Sequence, residues 1–156
     1  MTAAVAGRLA ELGLALPPVP APAGSYRPWK RVNDLVFLAG QTNEGGQEPT
    51  ARGPVPAVVS VDEATHAART CALNLLAALS AACGGDLDRV AECVQVRGFV
   101  NASPGFAGAP AVINGASDLF VELWGEQGRH VRTAIGVAAL PGNAAVEVDA
   151  VFRVKP

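Results

Sequence analysis

The chain has 156 residues, of which 50% are hydrophobic and 17% are charged, with a formal net charge of −2. This length fits one domain with its own core, and the hydrophobic share excludes a disordered chain. Proteins that bind nucleic-acid backbones usually carry a clear basic excess, so the balance of 12 basic and 14 acidic side chains argues against nucleic acid as a partner.

Cysteine and histidine usage argues against disulfides and metal sites. Cys71 and Cys83 fall in one predicted helix, about 18 Å apart along its axis, which is too far for a disulfide bond. Neither Cys-x-x-Cys nor His-x-x-x-His spacing occurs. No apolar run reaches the roughly 20 residues that cross a bilayer, and the first residues lack the basic start of a signal peptide. We therefore expect a cytoplasmic protein without a metal or a membrane partner.

The N-terminal segment predicts a short helix and a connector. Residues 3–13 place Val5 and Leu9 on one helical face, and Gly13 ends the pattern. The proline-rich residues 16–22 exclude a helix. We divide the chain into this N-terminal helix with its connector, residues 1–21, and one domain, residues 22–156.

The next part predicts two strands and a loop. Residues 25–31 and 35–39 flank a Val32-Asn33-Asp34 turn. The second strand is apolar throughout, which predicts a central place in the sheet. Residues 42–57 are rich in Gly, Pro, Thr and Glu and predict a surface excursion.

Two long helices follow, with a strand between them. Ser60 and Glu63 form a capping box that opens the first helix, and Gly84-Gly85 ends it. Its polar side is predicted to face solvent. The second helix is predicted over residues 107–126. The polar side of the first helix consists of Glu63, His66, Thr70 and Asn74. The strand between the two helices, at residues 89–100, places four valines on one face: Val90, Val94, Val96 and Val100.

The resulting order, β-β-α-β-α-β-β, predicts an α/β (α+β) domain with a mixed sheet. Both long helices are expected on one face, with a hairpin at either end of the chain. The other face then needs cover, and a second subunit is its simplest source.

The strand over residues 129–138 has the most distinctive pattern. One face is β-branched, whereas the other has an arginine followed by three small residues. Space beside a guanidinium suits a small anionic ligand, but an arginine paired with a carboxylate fits the same pattern. The β-branched face consists of Val131, Thr133, Ile135 and Val137. The other face consists of Arg132, Ala134, Gly136 and Ala138.

Glu147 lies on the following strand after a short turn, so pairing of the two strands would bring it near Arg132. Arginine binds a carboxylate through two charge-assisted hydrogen bonds, and a nearby carboxyl group can position water or shuttle a proton. Alternatively, Glu147 only neutralises Arg132. The other polar residues at predicted strand ends are Tyr26, Gln41 and Asn114.

Five segments of the chain together have a specific pattern. They are Gly24-Ser25-Tyr26, Val36-Phe37-Leu38-Ala39-Gly40-Gln41, Asn114-Gly115-Ala116, Arg132-Thr133-Ala134-Ile135-Gly136-Val137-Ala138-Ala139-Leu140-Pro141 and Val146-Glu147-Val148-Asp149-Ala150. These segments resemble the RidA/YjgF family of reactive-intermediate enamine/imine deaminases, some of which are labelled L-PSP endoribonucleases. The N-terminal helix and the long excursion at 42–57 resemble the longer, endoribonuclease-labelled subgroup.

The resemblance implies a chorismate-mutase-like fold and a homotrimer with active sites in clefts between subunits. Arg132 would bind the substrate carboxylate and Glu147 would orient the hydrolytic water. Tyr26 and Asn114 would line the cleft, and the backbone at Gly40 would contact the ligand. The reaction would be the cofactor-free hydrolysis of a 2-imino acid, the tautomer of a 2-enamino acid, to a 2-keto acid and ammonia.

Two positions differ from RidA proper, which usually has serine at Ala39 and often cysteine at Ala134. Both differences remove a polar side chain from the expected cleft. A non-catalytic trimer that binds small carboxylates is therefore an alternative function. An endoribonuclease is a further alternative, against which the charge balance and the scarce histidines argue.

Overall fold

A computed structural model describes residues 4–45 and 50–156. Residue 3 of the predicted N-terminal helix, and residues 46–49 of the predicted excursion, lie outside these ranges. The helices and strands are α1 (Val5–Glu11), β1 (Trp29–Val32), β2 (Leu35–Thr42), α2 (Val61–Ala82), β3 (Val90–Asn101), α3 (Ala109–Trp124), β4 (Val131–Val137) and β5 (Val146–Val154).

The strands form one mixed sheet in the order β1-β2-β5-β3-β4. β5 runs antiparallel to both β2 and β3, and β4 runs parallel to β3. The predicted mixed sheet is thus confirmed, and residues 35–39 lie in an interior strand, between β1 and β5, although β5 is the middle strand. Phe37 in this apolar run points to a sheet face that the chain leaves uncovered, where it is 44% exposed. The first strand also begins later than predicted, at Trp29.

The predicted hairpin between the last two strands does not form. α3 carries the chain from β3 to the parallel β4, and β3 then separates β4 from β5. The β4–β5 connection instead binds the loop before α2: Gly53 N donates to Asn143 O at 2.8 Å and Arg52 Nη1 donates to Gly142 O at 2.6 Å. The chain does turn at Pro141–Asn143, but the strands on either side of this turn are not neighbours in the sheet.

Both long helices pack on the same face of the sheet, as predicted. α2 lies against β2 and β5, and α3 lies against β3 and β4. The capping box at the start of α2 is present: Ser60 Oγ accepts from Glu63 N at 3.1 Å, and a Glu63 carboxylate oxygen accepts from Ser60 N at 2.8 Å. α2 and α3 approach closely because Gly115 has no side chain; a Cβ there would overlap the Thr65 carbonyl. Within the two described ranges, no helix is both long and apolar enough to span a bilayer.

Asn74 corrects the predicted polar face of α2. It is only 5% exposed, and its Nδ2 donates to Thr42 O at 3.0 Å and Glu44 O at 2.8 Å. Carbonyl groups beyond the end of a strand need donors when they are covered, and an amide side chain supplies two hydrogen atoms. Glu63 and His66 are exposed, as expected.

β3 also departs from simple alternation. Its register against β5 shifts between Val90 and Glu92 and again between Cys93 and Gln95. A bulge turns the following residues by one position, so Cys93 is buried where Val94 was expected. All three cysteines are free and buried.

α1 packs onto the same core as the rest of the chain. Val5 and Leu9 are buried. The backbone N–H of Val5 donates to Asp88 Oδ1 at 2.8 Å, and Arg8 Nε donates to Glu122 O at 3.2 Å. The division at residue 21 remains a prediction.

Candidate functional site

Arg132 and Glu147 lie on opposite faces of the sheet within one chain. Arg132 pairs with Val96 of β3, and Glu147 pairs with Phe99. Cross-strand partners share a face, and side chains three positions apart on a strand point to opposite sides. Arg132 therefore lies on the side of the helices and Glu147 on the other side. Strand pairing does not bring the two together in one chain, and Glu147 does not neutralise Arg132 there.

The Arg132 guanidinium is held by the first half of α3. Nη1 donates to Asn114 Oδ1 at 2.7 Å and to Ser117 Oγ at 3.2 Å, and Nη2 donates to the Pro110 carbonyl at 3.3 Å. Residues 110, 114 and 117 follow one helical face, so three acceptors converge on the strand beside the helix. The structure thus brings together the predicted site residues Arg132 and Asn114.

All three acceptors of Arg132 are uncharged, and the side chain remains exposed. Among residues 4–45 and 50–156, it forms no salt bridge. Its Nε–H has no acceptor there, and Nη2 has donated only one of its hydrogens. Nε and Nη2 form the edge of the guanidinium that binds carboxylates side-on. Arg97 uses this same edge on Asp149, at 2.9 and 2.7 Å.

The small residues after Arg132 do not leave the expected empty space. Ala134 packs against the core, and a Cβ on Gly136 would lie 2.8 Å from the Ala102 Cβ. The absent side chains instead let the β3–α3 connection approach the edge strand. Room for a ligand therefore has to lie on the outer side of the guanidinium.

Glu147 lies beside a bulge in β2. The β2–β5 ladder is interrupted between Leu38 and Gln41, and a Cβ on Gly40 would lie 3.0 Å from Glu147 Oε1. Partial burial, and secondarily the charge of Asp149, raise the pKa of the Glu147 carboxyl above its usual value. In the described part of the chain, no cation or hydrogen-bond donor contacts this carboxylate. The predicted residues Gly40 and Glu147 thus form a second group, apart from Arg132.

Tyr26 joins neither group within one chain. Its hydroxyl accepts from Ala23 N at 3.2 Å in the segment before β1, and its ring is exposed. A role for Tyr26 in the site stays a prediction.

Two residues near Arg132, Ser117 and His130, were not predicted from the sequence. Ser117 Oγ lies 2.9 Å from His130 Nε2, so the histidine connects to Arg132 through the serine. The spacing of Pro110, Asn114 and Ser117 along one face of a helix was a usable signal for the serine. No comparable signal marks His130. Over the described ranges, no group of three or more His, Cys, Asp or Glu residues is placed to bind a metal ion.

The sheet face opposite the helices, which we call the open face, is partly apolar and uncovered. It holds Glu147 and the Arg97–Asp149 pair. Large apolar side chains exposed on one face of a sheet are typical of contact sites. The exposed large apolar residues on the open face are Val32, Phe37, Val131 and Ile135, the last two being 66% and 46% exposed.

Comparison with known proteins places these features in a family context. The family model described as "YjgF/chorismate mutase-like, putative endoribonuclease" matches residues 6–152. Protein TCP17 of Trypanosoma cruzi is 43% identical over 150 residues, which cover 96% of this chain and 93% of TCP17.

Two solved structures are also similar. Atu1372 of Agrobacterium tumefaciens, described as of unknown function, is 38% identical with a TM-score of 0.89, and the match covers 98% of this chain and 93% of that one. A protein of Shewanella oneidensis MR-1, described as a putative endoribonuclease, is 31% identical with a TM-score of 0.92, over 97% of this chain and 100% of that one.

Proposed function

Because the chain belongs to the YjgF/chorismate mutase-like family, we propose that it is a cofactor-free deaminase of reactive 2-enamino and 2-imino acids. It would hydrolyse the imino tautomer to a 2-keto acid and ammonia. The substrate class is small and carries a carboxylate beside the C=N bond.

The state of Arg132 is the observation that carries this proposal. Its charge is not neutralised within the described residues, because Asn114, Ser117 and Pro110 supply only neutral acceptors. These contacts restrict the side chain and leave the Nε–Nη2 edge for a ligand carboxylate. A preorganised guanidinium loses less entropy on binding than a free one, which favours a binding role.

Glu147 has the properties of a water-positioning group. Its raised pKa brings the carboxyl closer to neutral pH, where a group can both accept and return a proton. In the reaction, a water oxygen adds to the imine carbon while Glu147 accepts a water proton. The proton passes to the nitrogen and gives a carbinolamine. Glu147 then accepts the hydroxyl proton and transfers it to the amino group, so the C=O bond forms as the C–N bond breaks, and ammonia leaves the 2-keto acid.

A complete site then requires two copies of the chain. Arg132 lies on the edge strand β4, where a neighbouring subunit can reach it, and Glu147 lies on the open face. We propose that the open face is covered in a homotrimer, in which Glu147 of one subunit meets Arg132 of the next. In this arrangement, the two residues that meet between subunits are the same two that the family resemblance implies for the active site.

A second candidate function is the binding of a small carboxylate without turnover. Ala39 and Ala134 provide no polar side chain, and Ala134 packs against the core. Substrate protonation would then depend on Glu147 alone. Endoribonuclease activity has less support, because the chain carries a net charge of −2 and lacks a basic excess for an RNA backbone.

The deciding experiment couples the purified protein to an amino-acid dehydratase that releases 2-aminoacrylate. Keto-acid formation is timed with wild type, Arg132→Ala, Glu147→Gln and Arg129→Ala. Arg129 is the matched control, because it is an exposed arginine three positions away that pairs with Glu126. Wild type and Arg129→Ala should accelerate keto-acid release, whereas the other two variants should not.

Equal rates for wild type and Arg132→Ala would overturn the deaminase proposal. Calorimetric titration with pyruvate then decides the second candidate, which requires Arg132-dependent binding without any acceleration. Cleavage of RNA by a clean preparation, lost in a point variant, would instead support an endoribonuclease.

A further inference from the structure

We infer that Ser117 and His130 are positioning residues that hold Arg132 in its ligand-binding conformation. The inference rests on the proposed function, in which Arg132 binds the substrate carboxylate. Neither residue touches the substrate in this arrangement; both act through the guanidinium.

The hydrogen-bond chain has only one consistent direction. The Gly128 carbonyl can only accept, so His130 Nδ1, at 2.7 Å from it, carries the hydrogen. In the neutral ring Nε2 is then an acceptor, and it receives the Ser117 hydroxyl hydrogen at 2.9 Å. This orients a lone pair of Ser117 Oγ toward Arg132 Nη1, at 3.2 Å.

Tight packing fixes Gly128 and His130, at the end of the hydrogen-bond series farthest from Arg132. Gly128 is buried, and a Cβ there would overlap the Phe120 carbonyl, so the turn at 125–128 lies directly against α3. The His130 ring packs edge-on against Phe120, with ring centroids 6.1 Å apart. The imidazole therefore has a defined orientation. Through its hydrogen bond to Ser117, it also restricts the orientation of the Arg132 guanidinium.

The charge state of His130 agrees with this direction. Burial, opposed by the bond to Gly128 and aided by the charge of Arg132, lowers the pKa of the imidazole below its usual value. The ring is accordingly neutral at pH 7, with an acceptor nitrogen available. Arg132 on β4 is the charged group that acts on the ring, whereas Arg129 beside it pairs with Glu126.

The test compares variants that break the hydrogen bonds from His130 through Ser117 to Arg132 with variants that retain them. Ser117→Ala and His130→Phe remove one hydrogen-bonding group each, and Ser117→Thr and His130→Gln retain a hydroxyl and an acceptor. His66→Phe, which changes the exposed histidine on α2, is the control. Calorimetry measures the Kd of pyruvate and of its neutral amide analogue for each folded protein.

Each removal should weaken pyruvate binding about tenfold, because a charge-assisted hydrogen bond is misdirected, and the double variant should lose little more. The retaining variants should recover most of the affinity, and amide binding should change little. Wild-type affinity in Ser117→Ala and His130→Phe, or equal loss for pyruvate and the amide, would overturn the inference. If wild type and Arg132→Ala bind pyruvate equally, the proposed carboxylate-binding role of Arg132 has failed instead.

A measurement on the wild-type protein covers the case in which a variant does not fold. Long-range ¹H–¹⁵N correlation spectra report which ring nitrogen carries the hydrogen. His130 should be neutral at pH 7 with the hydrogen on Nδ1. The opposite tautomer, or a protonated ring, would overturn the inference.

Discussion

Arg132 and Glu147 project from opposite faces of one sheet, and β3 lies between their strands. The exposed guanidinium belongs to an edge strand, whereas the half-buried carboxylate lies beside Gly40 on the open face. A reaction that uses both groups on one substrate therefore needs two copies of the chain.

Mixed oligomers test this requirement directly. Arg132→Ala and Glu147→Gln should each be inactive alone, but co-expressed chains should recover activity. In a trimer that contains both variants, one interface of three pairs an intact arginine with an intact glutamate, so the purified mixed oligomers should show about a third of wild-type activity. Differently tagged chains allow the mixed oligomers to be purified and assayed for keto-acid release. Variants purified separately and mixed without subunit exchange should stay inactive, and inactivity of the co-expressed oligomers would contradict the shared site.

A charged side chain introduced on the open face tests whether the protein assembles through that face. Ile135→Lys should shift the protein to a smaller species in analytical ultracentrifugation, because a lysine in a covered apolar patch must lose its water. Val19→Lys is the matched control: Val19 is 45% exposed, close to the 46% of Ile135, but lies in the connector before β1. An unchanged sedimentation coefficient for Ile135→Lys would place the interface elsewhere.

Glu147→Gln should stabilise the protein at pH 8 but not at pH 4. The folded-state pKa of Glu147 is raised above its usual value of 4.5, mainly by burial. As the pH rises from about 4.5 through the folded pKa, the unfolded chain ionises first, so the native state loses stability relative to the glutamine variant. Thermal unfolding at both pH values measures the difference.

Glu92→Gln provides a contrast for this experiment. Glu92 is an exposed carboxylate paired with Arg153 at 2.9 Å, so the variant loses a surface ion pair. The Glu92→Gln variant should therefore be no more stable than wild type at pH 8. A Glu147→Gln variant that is less stable than wild type at pH 8 would contradict the assigned cause.

Asn74→Ala should lower the free energy of unfolding by about 1–3 kcal/mol, because the carbonyls of Thr42 and Glu44 lose their donor. Urea unfolding measures the change. Thr70→Ala, one turn earlier on the same helix, should stay within about 0.5 kcal/mol of wild type. Similar values for the two variants would mean that water replaces the Asn74 amide.

The elements of this fold were largely predictable because their signals are local. The Ser60–Glu63 capping box and the glycines after α2 act within one helical turn. Alternation along β5 is likewise local, and every second residue of this strand is buried. The errors in strands and faces arose where a bulge changed the alternation at Cys93, or where another part of the chain covered a polar residue, as at Asn74.

Residue patterns and the family resemblance were enough to predict the family, the mixed sheet with both helices on one face, and the interest of Arg132, Glu147, Asn114 and Gly40. Long-range packing sets how the side chains group: Arg132 lies with Asn114 and Ser117, and Glu147 lies with Gly40. The reason is that strand order is not encoded in neighbouring residues. β3 inserts between β4 and β5 because α3 returns the chain to its parallel side, and that step fixes the face on which each side chain lies.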